Sequence, residues 1–441
     1  MSLLFPLLYF LFFALPEVGA MGKRPPLPPN PEALSTPAKF PPLALNDCYE
    51  LALKRSETVA IQKEDIKETE AQFFKAAGEA LGDVDFIVTN TKQENPSGGE
   101  GSSVTNSFTD PERLESKFVI KQPLFQGFKA LGALTGAGSL KKEQKEEWIR
   151  AKQLLFLDVA RAFYGFLREK EDLGIIEGID SLFEERIKDL VKRERIGRSR
   201  PSEVATAEAR MKVLEAERAR TRGTFAVAKH LLEFLTGIPL DGRGLREEEL
   251  PKKPPQELAR YLETAQGRAD VEAARQSVKT AWRSVIVAQS ALWPELSLEH
   301  NQYQRREGIQ ANIHWDLLFK VDVPLFRGGE TVGKVKEAVS RWKKEKLAYS
   351  LVRRRAKLEI EESYQNWIAS LEQTQALKEA VRASEENFRL QKEEYARNLV
   401  SNLDVLTALE SLYQTRRDAN RAYYQMKENY WALRISVGEI L

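Results

Sequence analysis

Gln122-Pro123-Leu124-Phe125-Gln126-Gly127 is answered, far downstream, by Val323-Pro324-Leu325-Phe326-Arg327-Gly328. The two prolines stand 324 − 123 = 201 positions apart, and that offset persists along the chain. It carries Phe118 onto Phe319, Val204 onto Val405, Thr206 onto Thr407, Ala207 onto Ala408 and Gly237 onto Gly438. Helical sequences share scattered Ala and Glu by chance, but not Pro, Gly and Phe anchors in a single register. The chain is therefore read as an internal duplication: whatever the first half builds, the second half builds again.

Composition narrows what that unit is. Of 441 residues, 30% are charged and 42% hydrophobic, which suits long solvated helices better than a large spherical core. A net charge of +2 implies no polyelectrolyte partner, so nucleic acid is not expected. His230, His300 and His314 lie far apart, with no ligand-like spacing, and Cys48 is the lone cysteine. That spacing argues against a structural zinc site, the lone cysteine excludes an internal disulfide, and Cys48 is expected simply to pack.

Residues 1–20 are apolar from Leu3 to Leu15 and close on Val18-Gly19-Ala20, the pattern of a secretory signal peptide cleaved near Ala20. The stretch is too short to span a bilayer comfortably. Residues 21–42 follow as an extended linker; eight prolines fall between positions 23 and 42.

The first repeat, 43–256, opens with apolar residues at helical spacing from Leu45 to Ala80, with Asn46 or Asp47 as its cap. A β-hairpin is expected over about 83–122, with Asn95–Ser103 as a polar loop and Pro123 ending the second strand. A proline-free helical run from about Lys129 to Arg195 would reach roughly 100 Å, a length used by coiled coils and tunnels rather than by globular cores. A turn at 196–203 leads into an alanine-rich helix that stops at Gly237. The second repeat, 257–441, reads the same way. Its opening helix runs from Leu258 to Leu292, its hairpin over about 295–323, its long helix from Glu330 to Arg397, and its turn over 397–404 before a last helix.

The fourth strand carries the sharpest pattern. Ile313, Trp315, Leu317, Phe319, Val321 and Val323 share one face, while His314, Asp316, Lys320 and Asp322 share the other, with Leu318 the exception. Such alternation marks a membrane-spanning barrel strand, apolar to lipid and polar to a wet lumen, and makes Trp315, Leu317, Phe319 and Val321 the lipid-facing set. Four strands cannot close a barrel, and an open edge is not tolerated in lipid, so several copies must combine.

This order resembles the TolC-like outer-membrane efflux protein family over roughly residues 43–441. The resemblance rests on Leu51-Ala52-Leu53-Lys54-Arg55 in the opening helix and on Val323-Pro324-Leu325-Phe326-Arg327-Gly328-Gly329 at the strand-to-helix junction. It rests further on Tyr395, Asn398, Asp404, Val405 and Leu406 around the second turn, and on Leu232 to Gly237 at the half-repeat ending. It implies a mainly α fold with a small β part and a homotrimer. The trimer would form a twelve-stranded β-barrel in the outer membrane, continued by a twelve-helix coiled-coil tunnel in the periplasm. It also implies a function: a passive exit duct for an efflux or type I secretion system, docked by a periplasmic adaptor and fed by an inner-membrane pump. The junction between barrel and tunnel falls at Pro123, Gly127, Pro324, Gly328 and Gly329. The periplasmic tip and its gate fall on Ser202, Glu203, Tyr395 and Asp404; Ser202 and Asp404 also read as good helix starts. Pro201 with Arg195, Arg198 and Arg200 makes the first turn unusually basic for the family.

Gly328, Gly333 and Lys334 have the spacing of a phosphate loop, but Val335 stands where magnesium needs a hydroxyl. Paired carboxylates such as Glu361-Glu362 read as solvated helix faces, and no nucleophile-base constellation is visible. Neither an enzyme nor a cofactor is expected. The alternative class is an extended coiled-coil scaffold with no barrel.

Overall fold

The computed structural model describes residues 41–94, 112–251, 257–307 and 310–439. The signal peptide, most of the linker and the hairpin loop at Asn95–Ser103 lie outside the described residues. The elements run α1 (Leu45–Arg55), α2 (Glu57–Leu81), β1 (Asp83–Lys92), β2 (Glu112–Gln126), α3 (Lys129–Arg195) and α4 (Pro201–Thr236). They continue as α5 (Leu258–Thr264), α6 (Ala269–Ser290), β3 (Glu295–Arg306), β4 (Trp315–Asp322), α7 (Glu330–Ala396) and α8 (Asn402–Ser436). Both α3 and α7 contain 67 residues, about 100 Å each at the helical rise.

Where the boundaries differ from the sequence expectation, a local cause is visible. The opening helix is two helices, because Ser56 takes an extended conformation and its Oγ accepts the Val59 amide at 3.3 Å. Its partner in the second half is also divided, by a single 3₁₀ turn at Ala265–Gly267. Asp47 does cap α1, its Oδ2 accepting the Ala44 amide at 2.8 Å. Pro123 does not end the second strand. It pairs with Ser297 inside β2, and the register slips between Pro123 and Phe125, so the missing amide falls at an irregularity. β4 is shorter than expected, leaving Ile313 and Val323 outside it.

The four strands form one antiparallel sheet in the order β1-β2-β3-β4, so the two hairpins are joined through β2 and β3, and β1 and β4 are its edges. One hydrophobic cluster joins α1 to α3, α7 and α8 through Phe156, Phe163, Trp367 and Trp431; Cys48 packs in it, fully buried. A second cluster, with Leu190, Val204, Tyr395, Val405 and Leu406, packs the ends of α3 and α7 against the starts of α4 and α8. The repeats close alike. Gly237 after α4 lies against the Arg55 side chain, and Gly438 after α8 lies against Arg268. Arg268 is 1% exposed; its guanidinium donates to the Ser436 carbonyl at 2.9 Å and pairs with Asp270 and Glu359 at 2.6 Å each.

Candidate functional site

The pairing register places most of the apolar residues of the four strands on one face, with Ile87, Val119 and Leu318 on the other. Phe86 lies opposite Phe118 and Val84 opposite Ile120. Phe118 lies opposite Gln302 and Ile120 opposite His300, which in turn face Trp315 and Leu317. Phe319 and Val321 continue the same face opposite Leu298 and Leu296. These side chains are open to solvent in the single chain: Phe86 is 55% exposed, Trp315 59%, Leu317 56% and Phe319 56%. The other face carries Asp83, Asp85, Lys121, Glu299, Asn301, Asp316 and Lys320, in the same register. An exposed apolar surface of this kind, spread over a sheet with two unpaired edges, is unstable in water and marks a buried interface. His300 and Gln302 are the polar exceptions in the band. Among the described residues no helix is long and apolar enough to cross a membrane.

The two strand-to-helix junctions differ in their surroundings. Gly127 takes φ 57° and is buried; a Cβ there would stand 2.5 Å from the Ser290 carbonyl oxygen and 2.8 Å from Trp293 Cβ. Gly328 and Gly329 take φ 59° and 84°, yet a Cβ at either would meet nothing within 4 Å. Pro324 sits between β4 and these glycines, outside regular structure.

At the helix-to-helix turns the named residues separate. Asp404 is exposed and belongs to a capping box: its Oδ2 accepts from the Ser401 amide at 2.8 Å and from Ser401 Oγ at 2.6 Å. Those bonds hold its carboxyl below the usual carboxylate range. Ser202 is not the cap expected from the sequence. Pro201 occupies the first helical position, Arg200 the cap, and Ser202 makes no capping bond. Glu203 instead accepts from Ser199 Oγ at 2.5 Å. Tyr395 is 7% exposed, its ring covered by the Arg186 guanidinium at 3.8 Å and that of Arg193 at 4.5 Å. Asn398, left-handed at φ 60°, makes the turn.

Sequence reasoning missed the ties between the two halves. Arg186 donates through Nε and Nη2 to Asn402 Oδ1, at 2.9 and 2.7 Å. Farther along, Arg417 on α8 donates to Asp172 on α3 at 2.7 to 3.1 Å and pairs with Glu217 on α4 at 2.6 Å. No spacing rule would have found these pairs, whose members lie some two hundred residues apart or more.

A cavity of about 690 Å³ opens between α2, α3, α6 and α7, lined by Gln62, Glu143, Glu147, Arg150, Ser277 and Glu345 among others. Glu143 Oε2 is buried there without a hydrogen-bond partner. Burial, and then the Glu147 charge, push the Glu143 carboxyl up to about 7. The folded chain therefore holds a proton that the unfolded chain releases at lower pH, so this group costs stability as pH rises from the ordinary carboxylate range to about 7. Glu143→Gln is expected to melt higher than the parent at pH 8 and level with it at pH 4. A gap of equal size at both pH values would remove the carboxyl from that account.

This fold and surface define a class: long coiled helices joined to a four-stranded sheet with two unpaired edges and an apolar face open to solvent. Residues 261–439 match the family model for the outer membrane efflux protein. The alkaline protease secretion protein AprF of Pseudomonas aeruginosa is 22% identical over 416 residues, covering 90% of this chain and 84% of that protein. The proteases secretion protein PrtF of Dickeya chrysanthemi is 22% identical over 349 residues, 75% of this chain and 74% of that protein. Among solved structures, the outer membrane protein VceC of Vibrio cholerae superposes with a TM-score of 0.79 at 20% identity, over 89% of this chain and 96% of that one. The CmeC outer membrane channel of Campylobacter jejuni superposes with a TM-score of 0.78 at 15% identity, over 89% of this chain and 85% of that one.

Proposed function

We propose that the protein is the outer-membrane exit duct of an efflux or type I secretion system, conducting cargo passively from an inner-membrane pump and a periplasmic adaptor to the exterior. The apolar face shared by four strands with open edges carries this reading. Its residues, Trp315, Leu317, Phe319 and Val321 included, meet lipid, and its polar face lines the lumen. Three copies of a four-stranded sheet supply twelve strands, which closes the wall that one copy leaves open. The paired helices then continue inward as a tunnel whose turns form the periplasmic tip. Pro123, Gly127, Pro324, Gly328 and Gly329 mark where barrel gives way to tunnel.

At the tip, Ile196 and Leu399 are exposed at 67% and 69%, beside the exposed Arg195, Arg198 and Arg397. Apolar tips ringed by arginine suit a protein partner, and this is where an adaptor docks. Asp404, Glu203 and Ser202 supply polar groups to the closed mouth, while Tyr395 acts from beneath by fixing Arg186 and Arg193. A ring of Asp404 carboxylates restricts conduction electrostatically. Purified protein in a planar bilayer is expected to conduct, and Asp404→Ala to raise single-channel conductance at least twofold. An unchanged conductance would take the gate role from Asp404; no conductance from any preparation would sink the duct itself. A coiled-coil scaffold is less well supported, because it leaves the whole apolar band in water.

A further inference from the structure

Helical spacing puts Leu182, Arg186, Asp189 and Arg193 on one face of α3, and Phe388, Lys392 and Tyr395 on one face of α7. Between those faces and the first turns of α8 lies a cavity of about 450 Å³. Its cations are Arg186, Lys188, Lys192 and Arg193 from α3 and Lys392 from α7. Among the described residues only Glu185 and Asp189 supply carboxylates to it. Leu182, Phe388 and Leu409 give it an apolar wall.

The charges in this cavity do not balance, and Arg186 shows it most. Arg186 is 9% exposed, yet its Nε and Nη2 donate to a neutral amide oxygen, Asn402 Oδ1, and Nη1 reaches Asp189 Oδ2 only at 3.4 Å. That same carboxylate oxygen is shared, since Arg193 Nε stands 3.3 Å from it. Burial, aided by Arg193 and opposed by Tyr395 and Asp189, lowers the Arg186 pKa. Glu185 is taken up by Lys392 at 2.8 Å, and Lys192 has no ion pair among the described residues. Both guanidinium groups lie over the Tyr395 ring, which holds them side by side at the cavity.

We propose that this cavity binds a small organic anion, with a carboxylate or phosphate head among Arg186, Arg193 and Lys392 and an apolar body against Leu182, Phe388 and Leu409. The head supplies the counter-charge that Asp189 spreads over two arginines, and a guanidinium fork matches the paired oxygens of such a group. The volume falls within the range of about 300–1,000 Å³ used by small-molecule sites. The apolar wall favours an organic anion over a bare inorganic one. Because α3 belongs to the first repeat and α7 and α8 to the second, one bound molecule ties the two halves together. Every group in the site comes from a single chain, so the inference goes beyond the duct and does not depend on it.

The test is calorimetric titration of the detergent-solubilised full chain at fixed ionic strength, with phenyl phosphate as the probe. Benzyl alcohol carries the ring without the charge, and inorganic phosphate carries the charge without the ring. Phenyl phosphate is expected to bind about tenfold more tightly than either. Arg193→Gln and Lys392→Gln should each weaken it by about tenfold, the loss of one charge-assisted bond. Lys392 is half exposed, so its variant keeps the fold even if Arg193→Gln disturbs the packing on Tyr395. Lys378→Gln makes the same change at an exposed lysine of α7 outside the cavity, and it should leave binding within about twofold of the parent. No binding of phenyl phosphate, or equal affinity for inorganic phosphate, overturns the site. So does an equal loss in Lys378→Gln, which would mean diffuse attraction to a basic helix end. None of these outcomes bears on conduction, so the duct stands or falls separately.

Discussion

Arg417→Met is expected to destabilise the helical region by about 3–5 kcal/mol, the cost of leaving a buried charge without its partner. Arg417 and Asp172 are each about 5% exposed at the side chain, and among the described residues Arg417 alone holds the Asp172 carboxylate. Burial works against the guanidinium, but the hydrogen bonds it donates to Asp172 and Glu217 outweigh it, so Arg417 stays charged. Glu217 keeps a second partner in Arg220 at 2.6 Å, so the uncompensated charge is that of Asp172. Combining Arg417→Met with Asp172→Leu removes both charges and should recover most of the loss. Amide exchange along α8 gives the readout, because Arg417 ties that helix to α3 and α4, and local opening raises exchange there first. If the single variant exchanges like the parent, the triad is not what holds the two halves together.

Gly127→Ala carries the second large effect. A left-handed alanine costs about 1–2 kcal/mol by itself. That part is tolerable, since Phe128 next door adopts φ 67°. The contact is worse: the new methyl would stand 2.5 Å from the Ser290 carbonyl, which belongs to the backbone and cannot rotate away. Overpacking adds about 1–3 kcal/mol, for a total of roughly 2–5 kcal/mol. Thermal melting of the detergent-solubilised protein measures it. Gly329→Ala is the control, because it has a positive φ but open space inside the chain, and it should cost only the backbone share. Equal losses would mean that strain, and not the close approach to α6, governs the junction.

Both effects follow from contacts that local sequence reading does not reach. Gly127 is legible as a junction glycine from its place in a repeated segment, but the carbonyl that forbids a side chain there belongs to a helix end more than 160 residues away. Tyr395 reads as a polar tip residue, and the tertiary structure buries it under two arginines that α3 supplies. Ser202 reads as a cap because its side chain suits one; Pro201 moves the helix start by its fixed φ and leaves the serine inside. The split at Ser56 was open to reading, since serine competes for backbone bonds, but continuous apolar periodicity hid it.

Periodicity and junction residues, which act over a few positions, were sufficient by themselves to specify a doubled unit, two very long helices and an alternating strand. Which strand meets which, which arginine finds which carboxylate, and which face of the sheet gathers the apolar side chains were decided only when distant segments packed. Those choices depend on through-space distance, and neighbouring positions along the chain carry no record of it.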